Sequence, residues 1–312
     1  MEELWNIFPI HLREFIKESF GQPQPPEEIR MRIGQPISLY TGSRELFWDN
    51  HRGELIKSPD GAYRVTEQDL QELVAYMSNY SLYAFEEEVR AGFLTIQGGH
   101  RIGIAGKAVC ERGSIRTIRQ ISFVNIRVAG EQKGCADQVL EYCRNGKKVY
   151  NTLIISPPGA GKTTLLRDCL RQLSDGCKEY PGLKVGVVDE RSEIAACYLG
   201  RPQKDLGLRT DVLDCCPKAE GMLLLLRSMS PQIIGVDELG GQADYEAVEY
   251  ALHSGCRIFG TIHGESMEEM QQKPHLARWL EQSFFERYIL IQKEAGRTRK
   301  FLVYNERMEQ IC

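Results

Sequence analysis

Apolar residues recur along this chain in two rhythms, and the change between them falls near residue 130. Leu4, Trp5, Phe8, Leu12, Phe15 and Ile16 return at helical spacing and predict an amphipathic helix at the N-terminus. GQPQPPEE (Gly21 to Glu28) breaks it, and IRMRIGQPISLYT then alternates as two short strands around a Gly-Gln-Pro turn. A second helical stretch opens at Thr66, a residue type suited to capping, and breaks near Asn79 to Ser81. Its Tyr76, Tyr80, Tyr83 and Phe85 read as core. FLTIQGGHRIGIAGKAV and SIRTIRQISFVNIRVA follow as β-type runs punctuated by glycine. This α+β region ends near Ala129, and GEQKG (Gly130 to Gly134) has the composition of a linker.

From Cys135 the rhythm changes to strands alternating with helices, which predicts a largely parallel sheet. The apolar strands are VYNTLIIS, LKVGVVD, QIIGVDE and RIFGTIH. Between them lie the helical segments TTLLRDCLRQLS, KAEGMLLLLRSMS and DYEAVEYALHSG. A final helix, HLARWLEQSFF, precedes a hairpin in RYILIQKEAGRTRKFLVYNE. The expected fold is α/β, with the largely parallel sheet in residues 131–312 and a smaller α+β domain in residues 1–130 before it.

Composition narrows the function classes. A chain of 312 residues suits two domains. The net charge of -4 gives no general attraction to nucleic acid or anionic lipid, so no nucleic-acid partner is expected. The ten cysteines contain no CxxC pair and read as reduced, mostly buried thiols of a cytoplasmic protein. The N-terminus opens acidic and lacks the basic segment of a signal peptide. No apolar run approaches the ~20 residues of a membrane span, so direct insertion is not expected and any membrane association goes through partners or a surface. The polar face of the first helix is not enriched in Lys or Arg, which favours packing against protein over lipid.

The candidate chemistry begins with SPPGAGKTT: Ser156, Pro157, Pro158, Gly159, Ala160, Gly161, Lys162, Thr163 and Thr164. A strand runs into it and a helix leaves it, the context a P-loop requires. Glycines let backbone N–H groups approach phosphates, the helix N-terminus adds partial positive charge, and Lys162 reaches the β- and γ-phosphates. The Thr163 hydroxyl suits Mg²⁺. The expected ligands are therefore ATP and Mg²⁺. Ser156 stands where the pattern has its first glycine, a substitution that costs little if its φ is negative. PQIIGVDE ends an apolar strand in two acids: Asp237 to hold the metal and Glu238 to polarise the attacking water. VVDERSE places Asp189, as a further metal candidate, and Glu190, as a rival base, at the end of another strand. A solvated loop with Arg191 neutralising its own neighbours is the alternative. GTIHG brings His263 to a fourth strand end, as a phosphate or relay contact or else a structural residue. His11, His51, His253 and His275 have no such context and read as structural.

These four segments, in this order, resemble the Walker A loop, Asp box, Walker B and His box of the secretion ATPase superfamily. EEIRMRIGQPISLY, LYAFEEEVRAGFLTIQGGHRIGIAGKAV and ISFVNIRVAGE resemble, within it, the stage III sporulation protein AA family. The likeness runs from about Pro26 to His263. It departs from the superfamily at Ser156 and at Asp237, where glycine is usual before the Walker B glutamate. The resemblance implies a RecA-like P-loop ATPase domain and a hexameric ring of identical copies. It also implies membrane-protein partners of the stage III sporulation complex, and a cytoplasmic location on the mother-cell side. It further implies basic residues of the N-terminal domain reaching the phosphates, which on this sequence are Arg101 and Arg127. Surface arginines are the alternative, with Arg116 and Arg119 the nearest rivals. Two other readings remain open at this point: a nucleotide-gated scaffold with negligible turnover, and a nucleic-acid translocase of the same fold.

Overall fold

The structure, a computed structural model, describes residues 2–42, 44–81, 85–111, 113–272, 279–280, 282–293 and 299–312. Backbone contacts divide the chain into two units, Met1–Gly130 and Glu131–Cys312.

The first unit opens with two helices, α1 (Glu2–Asn6) and α2 (Ile10–Phe20), where the apolar spacing alone predicts one. Pro9 is the reason. It is the N-cap of α2, and its ring and missing N–H cannot continue a helix from α1. Leu4, Phe8, Leu12 and Ile16 are fully buried, so the apolar face packs against protein. Strands β1 (Glu28–Arg32) and β2 (Ser38–Thr41) pair antiparallel around the expected turn. Two further strands, β3 (Arg44–Asp49) and β4 (Glu54–Ile56), were not legible, because both are mostly exposed or half-buried and carry little alternation.

Helix α3 (Glu67–Met77) begins at Thr66 as expected. The Thr66 hydroxyl accepts from the Asp69 N–H at 3.1 Å, and the Asp69 carboxylate accepts from the Thr66 N–H at 2.7 Å. The helix ends where Asn79 and Tyr80 turn left-handed, and α4 (Glu86–Ala91) follows. Phe85 is buried, but Tyr80 is 76% exposed and is not core. Tyr83 lies outside the described residues. Strands β5 (Phe93–Thr95), β6 (Arg101–Glu111) and β7 (Ser114–Arg127) complete an antiparallel sheet of order β4-β3-β2-β1-β7-β6-β5.

The second unit starts with α5 (Asp137–Leu140) and a small hairpin of β8 (Arg144–Asn145) and β9 (Lys148–Val149). Then follow β10 (Thr152–Ser156), α6 (Lys162–Asp175), β11 (Val185–Asp189), β12 (Thr210–Asp214), α7 (Lys218–Ser228), β13 (Ile233–Val236), α8 (Gln242–His253), β14 (Arg257–His263) and α9 (Met267–Gln272). Strands β15 (Arg287–Lys293) and β16 (Arg299–Asn305) form the expected terminal hairpin. The sheet order is β12-β11-β13-β14-β10-β15-β16, parallel except at β16. Helices cover both faces, which is why β10, β11 and β13 read as unbroken apolar runs. The edge strand β12, TDVLD, is polar and only half-buried, and its sequence gave no such signal. Of the expected helix HLARWLEQSFF, residues 275–278 and 281 lie outside the described residues, His275 among them, while Trp279 and Phe285 are buried. All ten cysteines are free thiols, but only four are buried, so the expectation of mostly buried thiols does not hold.

Strand order fixes the site. The P-loop strand β10 and the acidic strand β13 both lie against β14, and parallel pairing sends all three carboxyl ends to one edge. Gly235 in β13 lets the P-loop helix settle onto the sheet, since a Cβ there would overlap the fully buried Leu170 side chain of α6. Gly235→Ala is expected to destabilise the protein by ~1–3 kcal/mol, the usual cost of overpacking a core, as read by denaturant unfolding.

Candidate functional site

The loop between β10 and α6 adopts the shape its glycines predict. Gly159 and Gly161 have φ of 67° and 98°, a region that favours glycine, and Gly161 is the N-cap of α6. Ser156 is the last residue of β10, fully buried and outside the left-handed region, so its Cβ meets no backbone penalty. Its hydroxyl donates to the Pro157 carbonyl at 2.9 Å. Ala160 is buried while Pro158 and Gly159 are exposed, and Lys162, Thr163 and Thr164 form the first turn of α6.

Lys162 and Thr163 meet the two acids that follow β13. The Thr163 hydroxyl donates to Asp237 Oδ2 at 2.5 Å, and Lys162 Nζ lies 3.1 Å from Glu238 Oε1. The His263 ring, at the end of β14, contacts the same Oε1 at 3.0 Å and lies 3.3 Å from Lys162 Nζ. The structure therefore brings together five of the residues the sequence singled out: Lys162, Thr163, Asp237, Glu238 and His263.

Glu238 itself is strained. Its φ of 52° is left-handed, which costs a non-glycine residue about 1–2 kcal/mol. Its N–H is held by Thr261 Oγ1 at 2.9 Å and Asp237 Oδ1 at 3.0 Å, and the Thr261 hydroxyl donates to the same Asp237 oxygen. Sequence reading missed Thr261, although its two-residue spacing from His263 on a strand puts both on one face. Burial raises the Glu238 carboxyl, but Lys162, His263 and Arg191 outweigh it and hold it below the ordinary glutamate range. The base candidate is thus kept ionised.

The segment after β11 is arranged differently from the expectation. Asp189 is buried, and its carboxylate accepts from the N–H groups of Glu193 (2.8 Å), Ile194 (2.9 Å) and Ala195 (2.8 Å). Burial pushes this carboxyl up to about 6, against the downward pull of the three donors. From the other side, the buried Arg167 of α6 donates to the carbonyls of Ile194 and Glu193. Both oxygens of Asp189 are occupied in shaping the loop. Glu190 is ion-paired with Lys218 of α7. Arg191 does not neutralise its neighbours; it reaches across to Glu238 Oε2 at 2.7 Å. That partnership had no signal in the sequence, since it joins residues on two different strand ends.

In the N-terminal unit, Arg101 and Arg127 are directly opposite each other on β6 and β7. Like charges so placed repel. The Arg101 guanidinium lies 3.8 Å from the Phe93 ring centroid. The rivals sit farther out on the same ribbon, Arg119 opposite Lys107 and Arg116 paired with Glu111 at 3.1 Å.

Residues present fit a nucleotide and its metal. The glycines open backbone toward the start of α6, Lys162 is a buried cation with no apolar role, and the Thr163–Asp237 pair supplies hard oxygen donors. Among the described residues no three His, Cys, Asp or Glu side chains converge as a metal set. A Mg²⁺ ion needs no such set, since it takes one or two protein oxygens and completes its shell with water and phosphate. Separately, a cleft of about 570 Å³ opens at the other edge of the sheet, between Lys147, Arg227, Tyr250 and Arg257, remote from this chemistry.

The loop clamp has a direct test. Asp189→Ala leaves three N–H groups without their acceptor. It is expected to cost at least ~2 kcal/mol of stability and to speed amide hydrogen exchange at Glu193 to Ala195.

The chain is 39% identical over 297 residues to stage III sporulation protein AA of Bacillus subtilis (strain 168), spanning 95% of this chain and 92% of that one. It is 24% identical over 280 residues to the uncharacterized protein ycf45 of Porphyra purpurea, spanning 89% of this chain and 43% of that one. Among solved structures it resembles the Legionella pneumophila ATPase DotB, with a TM-score of 0.60 at 17% identity, covering 95% of this chain and 80% of that one. It also resembles the pilus retraction motor PilT with bound ADP, with a TM-score of 0.59 at 18% identity, covering 93% and 81%. The chain shares the fold of these two structures. A profile of the sporulation stage III protein AA family matches residues 1–311, and with the Bacillus subtilis likeness this places the chain in that family.

Proposed function

We propose that this protein is an ATP-hydrolysing motor of the secretion ATPase type. It would work as a hexameric ring of identical copies. It would power assembly of, or transport through, a membrane-spanning complex between mother cell and forespore during sporulation. The observation that carries the reading is the meeting of Lys162, Thr163, Asp237, Glu238 and His263 at one sheet edge. Attachment to the membrane would go through membrane-protein partners on the mother-cell side; among the described residues no helix is long and apolar enough to cross a membrane.

In this reading Ser156 to Thr164 bind the phosphates, with Lys162 as the principal cation, and Thr163 and Asp237 hold Mg²⁺. The metal, when bound, neutralises phosphate charge and fixes the geometry of in-line attack. Glu238, kept ionised and set in a left-handed turn, orients water and accepts its proton. His263, which shares Oε1 of Glu238 with Lys162, positions that carboxylate. We assign Glu238 rather than Glu190 as base, because Glu238 contacts the P-loop Lys162 and His263, whereas Glu190 is turned onto Lys218 of α7. Asp189 acts through the loop it shapes and not as a metal ligand.

Arg101 and Arg127 would bind phosphate oxygens through their guanidinium forks.

Four variants test this reading. Lys162→Ala is expected to abolish phosphate release while leaving thermal unfolding near wild type; unchanged turnover would remove the P-loop assignment. Glu238→Gln should still bind ATP but hydrolyse it ~10²–10⁴-fold more slowly, the range of a lost general base. The scaffold reading expects no consequence for assembly from that loss, and a dead Glu190→Gln beside a normal Glu238→Gln would move the base to the loop after β11. The Arg101→Ala/Arg127→Ala double variant should lose turnover with its fold intact, and normal turnover would return both residues to the sheet surface.

A further inference from the structure

We propose that Arg191 is the residue by which this site tells a triphosphate from a diphosphate. Its guanidinium, held on Glu238, is placed to take a terminal phosphate in exchange for that carboxylate. The proposal rests on the ATP-site reading above and adds a specificity-determining residue to it.

The Glu238 carboxylate bridges two cations. Lys162 of the P-loop sits 3.1 Å from Oε1 and Arg191 sits 2.7 Å from Oε2. An anion therefore already has a place between the P-loop lysine and this arginine. The fork of a guanidinium binds carboxylate and phosphate oxygens with the same geometry, so one can replace the other on Arg191.

Charge sets the direction of the exchange. A carboxylate such as that of Glu238 offers two oxygens and at most one negative charge, while a terminal phosphate offers three oxygens and more charge. A diphosphate that satisfies Lys162 leaves Arg191 on Glu238. A triphosphate draws Arg191 away as well and frees Oε2 to accept a proton from water. The preceding residue, Glu190, is paired with Lys218.

The mounting suits the task. The Arg191 side chain is 61% exposed and can swing, whereas the loop beneath it is fixed by Asp189 and Arg167. Ser192, the next residue, is left-handed at φ 52°, and its hydroxyl accepts from the Cys197 N–H at 3.0 Å. A mobile guanidinium on a rigid base can report a ligand without moving the loop.

The test is binding, measured by calorimetry on the full chain with Mg²⁺, using ADP and a non-hydrolysable ATP analogue as probes. Arg191→Ala is expected to weaken the analogue by about tenfold or more, as for loss of a hydrogen bond to a charged group, and to leave ADP affinity unchanged. Arg191→Lys should fall between, since it keeps the charge and loses the fork. It also carries the test if the alanine variant unfolds at a lower temperature than wild type. Equal weakening of both nucleotides, or of neither, would overturn the proposal. Wild-type protein that binds neither probe would overturn the ATP-site reading itself, and the proposal with it.

Discussion

Parallel pairing is the constraint on which the candidate site depends. Because β10, β13 and β14 run the same way, each delivers its carboxyl end to one edge, and the loops that leave that edge carry the polar chemistry. The register is specific: Ser156, where the P-loop begins, lies opposite His263. With β14 interposed, the P-loop helix crosses to reach the acids beyond β13, and the Thr163–Asp237 and Lys162–Glu238 contacts close the gap. Gly235 permits the close approach of α6 that this crossing requires.

Around that edge, charge is balanced locally. Glu238 is shared by Lys162, His263 and Arg191; Glu190 is matched by Lys218; Asp189 is satisfied by backbone N–H groups. Only one of the three, Glu238, combines an ionised carboxylate with a strained backbone and cations that a phosphate can attract. The division of labour between Glu238 and Asp189 comes from their surroundings, since both are acids just past apolar strands.

Much of this was legible in the sequence, and the reason is burial. The strands β10, β11, β13 and β14 are covered on both faces, so their apolar runs are long and their polar ends conspicuous. Thr66 and the terminal hairpin were readable from capping and turn chemistry. What escaped was half-exposed or non-local. β3, β4 and β12 carry weak alternation, and Pro9 divided a helix whose apolar spacing continues through it. The Arg191–Glu238 contact spans 47 residues of chain, and Asp189 turns inward because of donors that come four to six residues later. Neither follows from spacing.

The most direct measurement is phosphate release by the purified full chain with Mg²⁺ and ATP, taken across protein concentration with mass determined in the same samples. Magnesium-dependent release whose specific rate rises as copies assemble is the expected result of a motor that completes its site in a ring. Tight ATP binding with assembly but no release at any concentration would contradict it and leave a nucleotide-gated scaffold.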